Sequence, residues 1–91
     1  MEIEIKKKAD FPHAVFEVIV KGDNTTTHEV ILEAAYYKRL TGGKISPEDL
    51  LKNSLEFLLS RESNTSILRK FNLRKINDYF PEFESTLKLI T

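Results

Sequence analysis

The chain has no cysteine. That excludes a disulfide framework, a thiolate nucleophile and the sulfur ligands of structural zinc sites. Small secreted domains are commonly stapled by disulfides, so the absence points towards a cytoplasmic protein. Net charge is also missing, because fourteen basic residues are matched by fourteen acidic ones. Nucleic-acid binders are usually visibly basic, so neutrality weighs against that class while leaving room for a local patch. Only three glycines occur, and Gly42-Gly43 has neither the further glycines nor the following lysine of a phosphate-binding loop. No apolar run approaches the roughly 18 residues that a membrane span requires. The start, Met1-Glu2-Ile3-Glu4-Ile5-Lys6-Lys7-Lys8, lacks the apolar centre of a signal peptide.

What remains is ordinary globular material, 41% hydrophobic and 31% charged over 91 residues. The whole chain, 1–91, is expected to form a single domain that buries about 60–65% of its unfolded surface.

The stretch Ile45–Arg61 carries the strongest local signals. Ser46 suits an N-cap, Pro47 the first helical position and Asp49 the third residue beyond the cap. Ile45 and Leu50 have the spacing of a hydrophobic staple. At 100° per residue, Leu50, Leu51, Ser54, Leu55, Phe57, Leu58 and Leu59 fill more than half the circumference. So wide a stripe predicts a helix that is either central in the domain or shared with a second copy.

Before it, Met1–Lys7 alternates as a half-buried strand, Ala14–Val20 reads as a central strand apolar on both faces, and Thr26–Leu32 as its returning partner after a Lys21–Thr25 turn. A short helix from about Glu33 ends at Gly42-Gly43. Beyond Arg61, Ser63–Ser66 offers a cap for one helical turn over Ile67–Phe71. Asn72 offers another for a helix with Leu73, Ile76, Tyr79 and Phe80 on one face, and Pro81 interrupts it. Phe83, Leu87 and Ile90 then extend an apolar stripe to the end. The pattern predicts an α+β fold, in which an N-terminal three-stranded antiparallel meander is followed by three to four short helices packed on one face.

No catalytic constellation emerges. His13 and His28 are expected at the surface or a strand edge, and no spacing supplies three converging metal ligands. Each serine is accounted for by a cap, a turn or a helix face. Glu48/Asp49 and Glu82/Glu84 lie where first-turn carboxylates complement a helix dipole. A small enzyme using paired carboxylates is therefore the most distant reading, and neither metal nor organic cofactor is expected. The most lopsided charge feature is Arg69, Lys70, Arg74 and Lys75, interleaved with Leu68, Phe71, Leu73 and Ile76, which are expected to point inward. It reads either as a docking face for acidic protein or a nucleic-acid backbone, or as a solvated helix face balancing Asp78, Glu82 and Glu84. The aromatics around Tyr79-Phe80-Pro81-Glu82-Phe83 are dense enough for one or two to be exposed on an interaction surface. The candidate interaction residues are thus Leu50, Phe57, Leu58, Arg69, Lys70, Arg74, Lys75, Tyr79 and Phe83.

From Thr27 the order of strand (Thr27–Leu32), short helix, glycine turn and Ser46–Leu59 helix resembles a ribbon-helix-helix DNA-binding domain over about 35 residues. The resemblance implies a dimer whose two strands enter the major groove, with Thr27, Glu29 and Ile31 facing DNA. Glu29 on the ribbon, and Glu48 and Asp49 where the family clamps a phosphate, depart from its pattern. Over Thr27–Glu84 the chain also resembles a set of short uncharacterised prokaryotic proteins, through His28–Leu32, Tyr36–Gly43, Ser46–Leu50 followed by Ser54–Glu62, and Ser66–Glu84, and this implies no activity. The expectation is a non-enzymatic protein-interaction or adaptor module, with homodimerisation through the Ile45–Arg61 helix as an open option. A ribbon-helix-helix-like DNA-binding regulator is the alternative.

Overall fold

A computed structural model describes residues 2–90. Strands β1 (Glu2–Ala9), β2 (His13–Lys21) and β3 (Thr26–Glu33) form the expected antiparallel meander with β2 in the middle. A fourth strand corrects the expected count of three: β4 (Lys70–Asn72) pairs parallel to β3, giving the order β1-β2-β3-β4. Four helices complete the α+β fold: α1 (Ala34–Thr41), α2 (Pro47–Leu59), α3 (Ile76–Tyr79) and α4 (Phe83–Ile90).

Period-two alternation decides which sheet face is inside. Ala14, Phe16, Val18 and Val20 of β2 are fully buried, with Val30 and Leu32 of β3 on the same face. Val15, Glu17 and Ile19 look the other way and are only partly covered, so β2 is enclosed on one face rather than on both. Across this open face the register sets Lys6, Glu17, Glu29 and Lys70 in one row. Lysines at its two ends flank carboxylates that would otherwise only repel each other. β1 runs two residues further than expected, through a register shift between Lys7 and Ala9; Met1 lies outside the described residues.

The helix signals at α2 hold residue by residue. The Ser46 side chain accepts from the Asp49 backbone N–H at 3.1 Å, with Pro47 in the first turn. Leu50, Leu51, Ser54, Leu55, Phe57 and Leu58 are all buried by the chain itself. The wide stripe therefore makes α2 the central helix, covered without the help of a second copy. Gly42 closes α1 in the left-handed conformation, at φ 64°.

The expected helical turn over Ile67–Phe71 is absent. The cap residues are instead used by a 3-10 turn at Asn64–Ser66, after which the backbone extends into β4. Phe71 faces inward opposite Val30, and pairing with β3 outweighs the weak propensity of one isolated turn. Asn72 does cap the next helical segment, accepting from the Arg74 N–H at 3.3 Å, but that segment begins as a 3-10 turn before becoming α3. Leu73 and Ile76 are buried, whereas Tyr79 is exposed.

Helix α4 is held from two sides. Phe83 and Leu87 are fully buried, and the Phe83 ring meets Phe57 edge-on at 5.2 Å. The Asn77 side chain accepts from the Glu84 N–H at 3.1 Å. The Ile90 side chain, expected to lengthen the stripe, lies outside the described residues. Tyr36 on α1 donates its hydroxyl to Glu84 at 3.0 Å, and Arg39 reaches the same carboxylate at 3.3 Å.

Burial, and then the Glu84 carboxylate, push the Tyr36 hydroxyl well above its ordinary value of 10.0. A phenol whose folded-state value is raised stabilises the fold fully below the unfolded value and loses that contribution as pH rises towards the folded one. Tyr36→Phe is accordingly expected to cost about 1–3 kcal/mol at neutral pH. It should also flatten the decline in stability above pH 10.0. Urea denaturation at neutral and alkaline pH checks both; an alkaline decline equally steep in the variant would refute the assignment.

Candidate docking cleft

The chain reverses after α2 and returns along the sheet edge through the 3-10 turn, β4 and α3. Between these pieces lies a cleft of about 340 Å³. Buried Leu58, Ile67, Phe71 and Ile76 form its floor, with partly buried Phe80 beside them. Leu68 and Tyr79 stand on the rim, 49% and 62% exposed, with Glu62, Ser66 and Lys75 as its polar members.

An exposed leucine on a loose loop would mean little, but the backbone of Leu68 is anchored. His28 lies inside β3, fully buried, and its Nδ1 is 2.8 Å from the Leu68 carbonyl oxygen. A carbonyl only accepts, so Nδ1 carries the proton. Nε2 then accepts from the Thr26 hydroxyl at 2.8 Å. That oxygen in turn accepts from Asn64 Nδ2 at 3.1 Å, and the same amide donates to the Asn24 carbonyl at 2.6 Å. A buried polar seam thus ties the loop before β4 to the sheet, and its complete satisfaction makes it rigid. The seam fixes the backbone at Leu68, and the Glu29 N–H, donating to the Arg69 carbonyl at 2.7 Å, holds the next residue.

His28 corrects the expectation of a surface or edge histidine. Within Thr26–Leu32 it shares inward parity with Thr26, Val30 and Leu32, and that parity is the signal the sequence offers. Leu68, expected to point inward, is exposed instead, and nothing in the sequence marks it as outward, because its backbone is held by a distant histidine.

The anticipated interaction residues separate into three groups. Leu50, Phe57 and Phe83 are core, and the Arg61 guanidinium covers the Phe57 ring at 3.7 Å. Leu58, Lys75 and Tyr79 belong to the cleft. The basic cluster itself divides. Lys70 projects onto the open sheet face, where it meets Glu29 at 3.3 Å, and Lys75 lies 3.7 Å from Asp78. Arg69 and Arg74 are exposed and have no ion-pair partner among the described residues.

Among the described residues no group of three His, Asp or Glu side chains is placed to hold a metal ion, and no helix is long and apolar enough to cross a membrane. Glu17 and Glu29 are direct cross-strand neighbours, but they lie on the open sheet face and not in a cleft. Comparison of the chain with protein-family models, curated proteins and solved structures finds no match.

Proposed function

We propose that the chain is a small protein-binding module whose docking site is the cleft between α2, β4 and α3. The observation that carries this reading is the pairing of an apolar floor with two large, outward hydrophobic side chains, Leu68 and Tyr79. Burying apolar side chains of a partner there would remove Leu68 and Tyr79 from water, and interfaces are typically built from such anchors within a polar rim. Rigid presentation of Leu68 lowers the ordering cost of association.

Panning a displayed peptide library against the intact chain tests the proposal. Selected binders should lose at least about tenfold in affinity on Leu68→Asp or Tyr79→Ala, as expected of central apolar anchors. Ile19→Thr on the open sheet face should leave them unchanged. Binders indifferent to both cleft substitutions would refute the cleft as the site.

The DNA-binding alternative faces a topological difficulty. β3 has β2 along one edge and β4 along the other, so a two-chain ribbon would need one of them displaced. Salt-sensitive binding of duplex DNA at low ionic strength would favour that alternative.

A further inference from the structure

We infer that the outer edge of β1 pairs antiparallel with β1 of a second copy of this chain. The sheet ends in β4 on one side, only three residues long, and in β1 on the other, which runs eight residues and is paired to β2 alone. On the inner face Ile3 and Ile5 lie opposite Val20 and Val18. Both valines are fully buried, whereas the two isoleucines, with no strand beyond them, are only partly covered. An edge that carries Lys6, Lys7 and Lys8 and a register shift between Lys7 and Ala9 is closed to most strands. Its own copy is the exception, because the acidic residues of β1 come first and the basic ones second. Antiparallel self-pairing centred on Ile5 sets Glu4 opposite Lys6 of the second copy, twice over by two-fold symmetry, and Ile3 opposite the stem of Lys7. Centring on Glu4 or on Lys6 would set like charges face to face on the axis, so charge selects one register. Within the chain Lys6 lies 3.8 Å from Glu4, and the dimer joins the two copies of that pair into a ring of alternating charges on the open sheet face. On the inner face Ile5 meets its counterpart across the axis, which removes from water the apolar surface left at the edge. A contact along one strand is small beside that of a permanent dimer, so the association is expected to be reversible and concentration-dependent.

Sedimentation equilibrium of the intact chain across a concentration series tests this, and the mass should rise from one copy towards two. Glu4→Lys, and separately Lys6→Glu, should each weaken self-association at least about tenfold, because each places like charges directly opposite at two points. Both positions lie on the open face, away from the core, opposite Ile19 and Glu17. An equimolar mixture of the two variants should recover the association, since every facing pair is again of opposite sign. Leu68→Asp, in the cleft, should leave it unchanged. A single copy at every concentration would overturn the inference, as would single variants that associate like the parent or a mixture that fails to recover. Association lost on Leu68→Asp would overturn it by moving the contact to the cleft. A monomeric chain whose selected peptides are lost on Glu4→Lys would assign the edge to a segment of another protein instead.

Discussion

His28→Leu is expected to destabilise the fold by about 2–4 kcal/mol, although leucine fills similar space and is more apolar. The substitution leaves the Leu68 carbonyl without its donor and the Thr26 O–H without an acceptor, although the Thr26 oxygen still accepts from Asn64; each polar group left unsatisfied in the interior costs about 1–3 kcal/mol. The gain from burying an additional apolar side chain offsets only part of that. The loss should also be regional. Amides of Ile67–Phe71 should exchange with solvent much faster than those of β2, because the seam that holds the loop has been cut. Thr26→Val, which keeps the Leu68 anchor, should cost less and leave the loop protected. Urea titrations of both variants, with residue-resolved hydrogen exchange, check the order. Uniformly faster exchange across β2 and β4 would show that His28 supports the core in general and not the cleft wall in particular.

The second large effect is expected at Phe83. Phe83→Ala should cost about 3–5 kcal/mol, the range for removing a buried aromatic. For a domain with roughly 5–10 kcal/mol of stability, that is a large share of the total. Phe83 is fully buried and meets Phe57 of α2 edge-on, so its loss opens the seam between α4 and the central helix. The truncated protein should self-associate more than the parent, since the apolar side of α2 becomes accessible. Light scattering across a concentration series, beside thermal denaturation, reads both effects. A destabilisation below about 1 kcal/mol would mean that the site collapses around the smaller side chain.

The elements readable from the sequence are those whose signals are local. Ser46, Pro47 and Asp49 act within one helical turn, and Gly42 closes α1 by its own backbone freedom. The meander is legible because alternation over β1, β2 and β3 reports each residue's face directly. β4 is not, because three residues carry too short a pattern and their extended conformation is stabilised by β3, far away in the chain. The width of the α2 stripe is a local property, but whether α4 or a second copy covers it depends on where Phe83 lands. The candidate site suffers most from this non-locality. Tyr79 and Lys75 stand out by composition, whereas the Leu68 backbone is held by a hydrogen bond to His28, 40 positions earlier.

That separation also sets the order in which the molecule assembles. The meander and the α1–α2 turn join near neighbours in the chain. The parallel ladder of β4 must first draw in the whole segment carrying both helices, and its closure entropy has to be met before any pairing is gained. The cleft walls are therefore among the last surfaces to be completed on folding. A molecule seated between them would act as a splint across that late-closing seam. At a hundredfold excess over its dissociation constant it would stabilise the fold by about 2.7 kcal/mol and raise the midpoint of thermal unfolding accordingly. The stability of the intact chain is thus itself a gauge of whether the cleft is filled.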